Sequence, residues 1–258
     1  MKFDETIYYT DELNDEFSGI VREKTSLKED FVYIHKNIFW RIGAFFVYRV
    51  FTFPFAYFYL KFKFHYKLVN KKVMKPYRKK GFFLYGNHTN VPADAFICNM
   101  VSFPKRNYVI VNSDNVAVKG TVNLMMMEGA LPIPDSFKGM RNFIAAIEKR
   151  SVQKNCVTIF PEAHVWPYYT KIRPFKSTSF RYPVQFNDVT FCFTTTYQKR
   201  KHGKKPKIVV YVDGPFFVNN DLPNNDRKED LRNRVYETMC ERSKNSNCEF
   251  IKYVRKEN

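Results

Sequence analysis

Acidic residues are scarce in this 258-residue chain: 25 Asp plus Glu face 43 Lys plus Arg, a formal net charge of +18. The shortage is sharper than the total suggests, because residues 1–20 hold six acids and one base and leave +23 on residues 21–258. An excess of this size calls for an anionic partner, whether nucleic acid, an anionic lipid surface, or an acidic protein or substrate. Cysteine is sparse as well. Cys98, Cys156, Cys192, Cys240 and Cys248 are odd in number, show no C-x-x-C spacing and have no His or Asp at ligand intervals. They read as reduced cytosolic thiols, and neither a disulfide framework nor a metal site is expected. Nine glycines and thirteen prolines exclude collagen-like or low-complexity character. The chain has no G-x-S-x-G, H-E-x-x-H or G-x-x-x-x-G-K-[ST], so elbow hydrolases, zinc peptidases and P-loop enzymes lack support. No basic n-region leads into an apolar h-region at the N-terminus, and no secretory signal is expected.

What the chain has in plenty is aromatic: 27 Phe and 17 Tyr, within 45% apolar residues overall. That composition excludes intrinsic disorder and guarantees a core. The aromatics crowd residues 30–60, FVYIHKNIFWRIGAFFVYRVFTFPFAYFYL after Asp30. On a helix, Asn37, Arg41, Tyr48, Thr52 and Tyr59 form one polar stripe while Phe, Val, Ile and Trp40 cover the rest. As a membrane span, the ten Ile, Val, Leu and Phe between Ile42 and Leu60 contribute about −3 to −6 kcal/mol, offset by about +3 for Arg49, with Gly43 and Pro54 against it. Pro54 is expected to divide the segment into two helical pieces lying in one leaflet. Nine bases and no acid follow between Lys61 and Lys80, placed for lipid headgroups, and six more bases lie between Lys199 and Lys207. A buried core helix with solvated basic faces is the plainer alternative. The division expected is a membrane-associating region, 1–80, and a globular one, 81–258.

Beyond Lys80, short apolar runs alternate with helical ones. Residues 81–87, 107–112, 157–162, 191–197 and 207–215 read as strands; 92–101, 139–150 and 226–243 read as helices. The expected fold is α/β: a mainly parallel mixed sheet flanked by helices, with an N-terminal amphipathic helical segment.

In such sheets functional groups gather past the C-terminal ends of strands. The first expected strand there runs into Asn87-His88 with Asp94 close behind, and the third into Pro161-Glu162-Ala163-His164. A His beside an Asp can serve as general base, because the carboxylate fixes the tautomer and stabilises the imidazolium. Asp94 could equally be only a helix cap.

Four blocks follow in order: Asn87-His88 with Asp94, Gly129-Ala130-Leu131-Pro132-Ile133-Pro134, Phe160-Pro161-Glu162, and Tyr182-Pro183-Val184. This order resembles the motifs of the glycerolipid acyltransferases, the lysophosphatidic acid and glycerol-3-phosphate acyltransferase superfamily, over about residues 80–190. The resemblance implies acyl transfer from a thioester donor, acyl-CoA or acyl carrier protein, to a hydroxyl of a lysophospholipid or glycerol phosphate, with no other cofactor. It makes His88 the base and Asp94 its orienter, and it places Asn87, Gly129, Pro161 and Glu162 around the substrate. It also implies a membrane-associated enzyme on the cytoplasmic face. Three departures stand out. Five residues, Thr89 to Ala93, separate His88 from Asp94, one more than the family's usual spacing. The family's second-motif Arg falls on Asp135, and its Gly-Thr-Arg after the Glu is replaced by Ala163-His164-Val165. Lys138, Arg141, Lys171, Arg173 and His164 are the candidate substitutes for holding an anion. The competing classes are a non-catalytic lipid-binding relative and a basic nucleic-acid-binding protein. Against the latter, the aromatics cluster in an apolar helix and no RNP strand, GXXG loop or zinc finger is present, so nucleic acid is not an expected partner.

Overall fold

The computed structural model describes residues 5–19, 26–116, 120–201 and 205–256. Asp4 of the acidic N-terminus and residues 202–204 of the second basic run therefore lie outside the described residues. In chain order the elements are β1 (Glu5–Tyr9), α1 (Ile38–Phe45), α2 (Phe53–Phe64), β2 (Lys67–Val69), β3 (Phe82–Gly86), α3 (Ala93–Ser102), β4 (Asn107–Asn112), α4 (Val122–Glu128), β5 (Ala130–Ile133) and α5 (Phe137–Val152). They continue with β6 (Cys156–Ile159), α6 (Arg181–Phe186), β7 (Val189–Gln198), β8 (Lys207–Phe216), α7 (Asn224–Ser243) and β9 (Ile251–Arg255).

Seven strands form one sheet in the order β2-β8-β7-β3-β6-β4-β5, parallel at every pairing except β7 with β8. The side-chain alternation of β3 explains the layering. Phe82 and Leu84 join a core beneath α2 and α3, while Phe83 and Tyr85 join the opposite core beneath α5 and α7. The chain is therefore a helix–sheet–helix sandwich, the α/β arrangement expected. β5 holds Pro132 because it is an edge strand, where a missing N–H costs no ladder bond.

Three expectations need correction. Pro54 does not divide the aromatic segment: helix runs unbroken from Ile38 to Phe64, with a π-helical stretch Phe46–Thr52 between α1 and α2. The wider turn puts Pro54 at the start of α2, where its absent N–H and its ring are tolerated. The segment also starts later than residue 30, with Asn37 as its N-cap accepting from the Phe39 and Trp40 N–H groups. Nor does residue 80 separate two packing units. β2 pairs with β8, and Ala56, Leu60, Phe64 and Met74 sit in the core beneath α3.

The helix is turned with the middle of its polar stripe inward, while Asn37 and Arg41 at its start remain exposed. Tyr48 is buried, donating to Asn99 Oδ1 and accepting from the Asn107 N–H, and Thr52 donates to Glu128. The opposite side presents Phe39, Phe51 and Phe62, which are 79%, 66% and 71% exposed, together with Phe45, Phe55 and Phe58. Only 17% of its most apolar window is covered by the chain, although the helix is long and apolar enough to cross a membrane.

Candidate active site

His88 and Asp94 meet just past the C-terminal end of β3. His88 Nδ1 donates to Asp94 Oδ2 at 2.8 Å, and the same oxygen accepts the N–H groups of Thr89 at 2.7 Å and Asn90 at 2.8 Å. Asp94 is buried, one residue into α3, and its own N–H donates to Asn90 O at 2.7 Å. The extra residue between His88 and Asp94 is absorbed by this tight turn, so the carboxylate reaches back to the ring. The His88 side chain keeps 21% of its surface open.

The ring is held from behind. It stacks on Phe160 at 4.5 Å between centroids, and Phe160 in turn rests edge-on against Phe193 at 6.0 Å. Gly86 makes room for this stack: a Cβ there would collide with the Phe193 ring. The backbone of residues 87–90 is stitched on every side. Asn87 exchanges two hydrogen bonds with the Thr195 backbone, at 3.1 and 2.7 Å. Trp166 and Tyr168 N–H groups donate to the carbonyls of His88 and Thr89, and the Tyr197 hydroxyl meets Thr89 Oγ1 at 2.8 Å.

Glu162 belongs to this frame. Its Oε2 accepts the His88 N–H and its Oε1 the Arg173 N–H, both at 2.9 Å, and the Arg173 guanidinium lies 3.8 Å away. Burial pushes its carboxyl above the ordinary glutamate range, opposed by Arg173 and by the two backbone donors. Arg173 is itself buried, donating to the carbonyls of Glu12, Glu162 and His164 with its guanidinium over the Trp166 ring. Neither side chain is turned to a substrate. The same holds for Asn87, whose amide is spent on Thr195.

The remaining candidates scatter. Gly129 lies at the other end of the sheet. Its φ of +99° ends α4, and a Cβ would collide with Asn107 O at the start of β4, so a turn and a close approach require the glycine. Motif order does not reveal height along a strand, which is why sequence alone put it near substrate. His164 is paired with Glu16 at 3.1 Å, and exposed Lys138 lies 3.8 Å from Glu29. Arg141 and Lys171 are exposed, and Pro161 is half-buried beside Phe160 in the loop after β6. The acidic N-terminus, which sequence left without a role, is strapped over this loop. Phe17 packs on Trp166, whose indole donates to Asp15 O, and β1 pairs in parallel with β9. Sequence also missed Phe160 as the ring's support, and Thr89, Asn90 and Tyr197, which carry no motif signal beyond proximity to His88. Among the described residues no group of three His, Cys, Asp or Glu side chains is placed to hold a metal ion.

A buried carboxylate on a partly open imidazole at the mouth of a parallel sheet is an acid–base dyad in form, and comparison gives it a family. The profile of the Acyltransferase family matches residues 65–195. The fold is similar to the crystal structure of the 1-acyl-sn-glycerophosphate (LPA) acyltransferase PlsC from Thermotoga maritima, with a TM-score of 0.56 at 11% identity over 84% of this chain and 86% of that one. No curated protein matches the sequence. The chain belongs to the acyltransferase family, as the ordered motifs implied, on a PlsC-like α/β fold.

Proposed function

We infer that the chain transfers a fatty acyl group from a thioester, acyl-CoA or acyl carrier protein, to the hydroxyl of a lysophospholipid, foremost 1-acylglycerol-3-phosphate. The observation that carries this reading is the 2.8 Å bond from His88 Nδ1 to buried Asp94. With Nδ1–H engaged, the lone pair for catalysis is on Nε2. Nε2 takes the acceptor's hydroxyl proton as its oxygen attacks the thioester carbonyl, and Asp94 stabilises the imidazolium that results. The tetrahedral intermediate then collapses, expelling the thiolate, which recovers the proton from His88. No covalent acyl-enzyme is needed. General-base help of this kind is worth about 10² to 10⁴ in rate, the remainder coming from positioning.

The outward-facing aromatic helix supports association with a membrane, where a lysophospholipid resides. The free cysteines and the soluble thioester donors favour the cytoplasmic face. The helix lies in one leaflet in this reading, since its inward stripe is bonded to α3 and β4 along its middle.

The test is thiol release from acyl-CoA by detergent-solubilised protein, with and without lysophospholipid or glycerol phosphate. Acceptor-dependent release that His88→Ala abolishes is the expected result. Full turnover in His88→Ala would overturn the mechanism, and no release with any acceptor would leave a lipid-binding relative.

A further inference from the structure

A basic cavity lies at the end of the sheet opposite His88. Lys71, Lys72, Lys75, Arg78 and Lys105 line a cavity of about 200 Å³ with Phe82, Ser102, Phe103 and Pro104. Phe82 opens β3, and His88 lies six residues further on, about 20 Å along the strand direction.

The cations are arrayed by backbone geometry. Residues Lys71–Tyr77 form a 3₁₀ helix, in which positions three apart eclipse, so Lys72, Lys75 and Arg78 form one row. Met74, in the adjacent row with Lys71, is buried in the core, forms part of the cavity wall and fixes how the helix is seated. Lys105 anchors the row's end, its ammonium donating to the carbonyls of Arg78, Lys80 and Lys154 at 2.9, 2.6 and 2.5 Å. Lys71 donates to Met100 O at 2.7 Å and has two N–H groups left to offer.

No carboxylate lines the cavity, and none of its five cations makes an ion pair among the described residues. Burial, and after it neighbouring Arg78, pushes Lys71 down to about 8. The cavity's sill is aromatic and continuous with the outward helix: Phe103 is partly exposed, stacks near Phe53 at 4.7 Å, and carries Lys71 and Arg49 over its ring.

We propose that this cavity is a non-catalytic phosphate site, taking the phosphate of an anionic lipid headgroup at the edge of the membrane-facing helix. It rests on the membrane association argued above, though not on the acyl-transfer chemistry. A tetrahedral phosphate offers several acceptor oxygens to the Lys72, Lys75, Arg78 row and to Lys71 at once, while acyl chains leave past Phe103 along Phe53.

The experiment compares the full chain with Lys72→Gln/Lys75→Gln/Arg78→Gln and, for equal charge removed elsewhere, Lys199→Gln/Lys201→Gln/Lys205→Gln. Each is floated with phosphatidylcholine vesicles doped with phosphatidic acid, or with oleate at matched surface charge. Removing three bases from the pocket is expected to cost on the order of a hundredfold in binding to phosphatidic acid vesicles and to erase their advantage over oleate. The control should keep that advantage. A cooperative urea transition matching the wild type's shows the pocket variant folded, and because it needs no acyl transfer, failure here stays distinct from failure of the catalytic reading. Calorimetry with inorganic phosphate separates the sources: heat lost only in the pocket variant, without a vesicle preference, assigns the same site to a soluble phosphate ester. Equal losses in both triple variants, or no pocket-dependent preference for phosphate in either arm, would overturn the proposal.

Discussion

Replacing Asp94 with asparagine removes one charge and leaves every other atom of the dyad in place. The orientation of the new amide is dictated by its surroundings. Oδ2 accepts two backbone N–H groups besides His88, so the amide oxygen must occupy that position and the NH₂ must take the place of Oδ1, which is buried without a partner. The substituted side chain therefore still accepts from His88 Nδ1 and keeps the same tautomer, but it no longer opposes the charge of the imidazolium. A hydrogen bond to a charged group is worth about 1.5–3 kcal/mol, so kcat should fall roughly 10- to 150-fold with KM little changed. His88→Ala should lose about 10² to 10⁴. The unpartnered NH₂ adds a stability cost of about 1–3 kcal/mol, read by urea denaturation. Thiol release at saturating acceptor measures the first quantity. Asp94→Asn with wild-type kcat would show that the carboxylate only caps α3, and the dyad argument would fail.

Glu162→Gln should be damaging although isosteric, because both oxygens accept backbone N–H groups and the new NH₂ must face one of them. About 1–3 kcal/mol of stability and a reduced kcat are expected, measured by denaturant titration and thiol release, and an unchanged variant would exclude the frame described for His88. Arg173→Met leaves the Glu162 charge buried and should cost about 3–5 kcal/mol, visible as a lowered unfolding midpoint. Gly129→Ala should destabilise by at least about 2 kcal/mol while the folded fraction keeps its KM, since the strain at Asn107 lies far from His88. Burial raises the carboxyl of Glu128 above its ordinary value, opposed by its bond from Thr52 and by Arg106. Stability tied to that group is present below the ordinary glutamate range and lost as pH rises through the raised value. Glu128→Gln does not titrate, so it should gain on the wild type between acid and neutral pH in thermal melts; a constant difference would refute this.

Much of the sandwich was legible because β3 and β7 are buried on both faces, and residues 81–87, 107–112 and 191–197 read as short apolar-rich runs bounded by turn residues. β5 escaped notice because Pro132 argues against a strand unless the strand is an edge, which only the assembled sheet reveals. β1 and β9 escaped because each is short and half exposed, and each is a strand only through the other. The His88–Asp94 contact was implied by the ordered motifs taken together, while the spacing alone left Asp94 equally readable as a helix cap. The ring's seat on Phe160, and the inward commitments of Glu162 and Arg173, depend on loops whose paths no local pattern encodes. The polar stripe on the aromatic helix was read correctly as a stripe, but its inward direction needed Asn99 and Asn107, residues far along the chain.

The pairing of β1 with β9 sets an order of events during synthesis. Trp166, whose N–H holds the His88 carbonyl, lies between Phe17 and Tyr9 from one end of the chain and Tyr253 from the other. The cores on the two faces of the sheet take no residue from beyond Phe250, so a nascent chain can assemble them first. The clasp over the His88 loop cannot close until residues 251–255 have emerged, and contacts at such separation are the slowest to form. A chain halted a few residues short would possess its helix, its sheet and its histidine, yet lack the grip that sets the histidine's loop. Such a chain would hold both cores of the sheet with the His88 loop still unclasped.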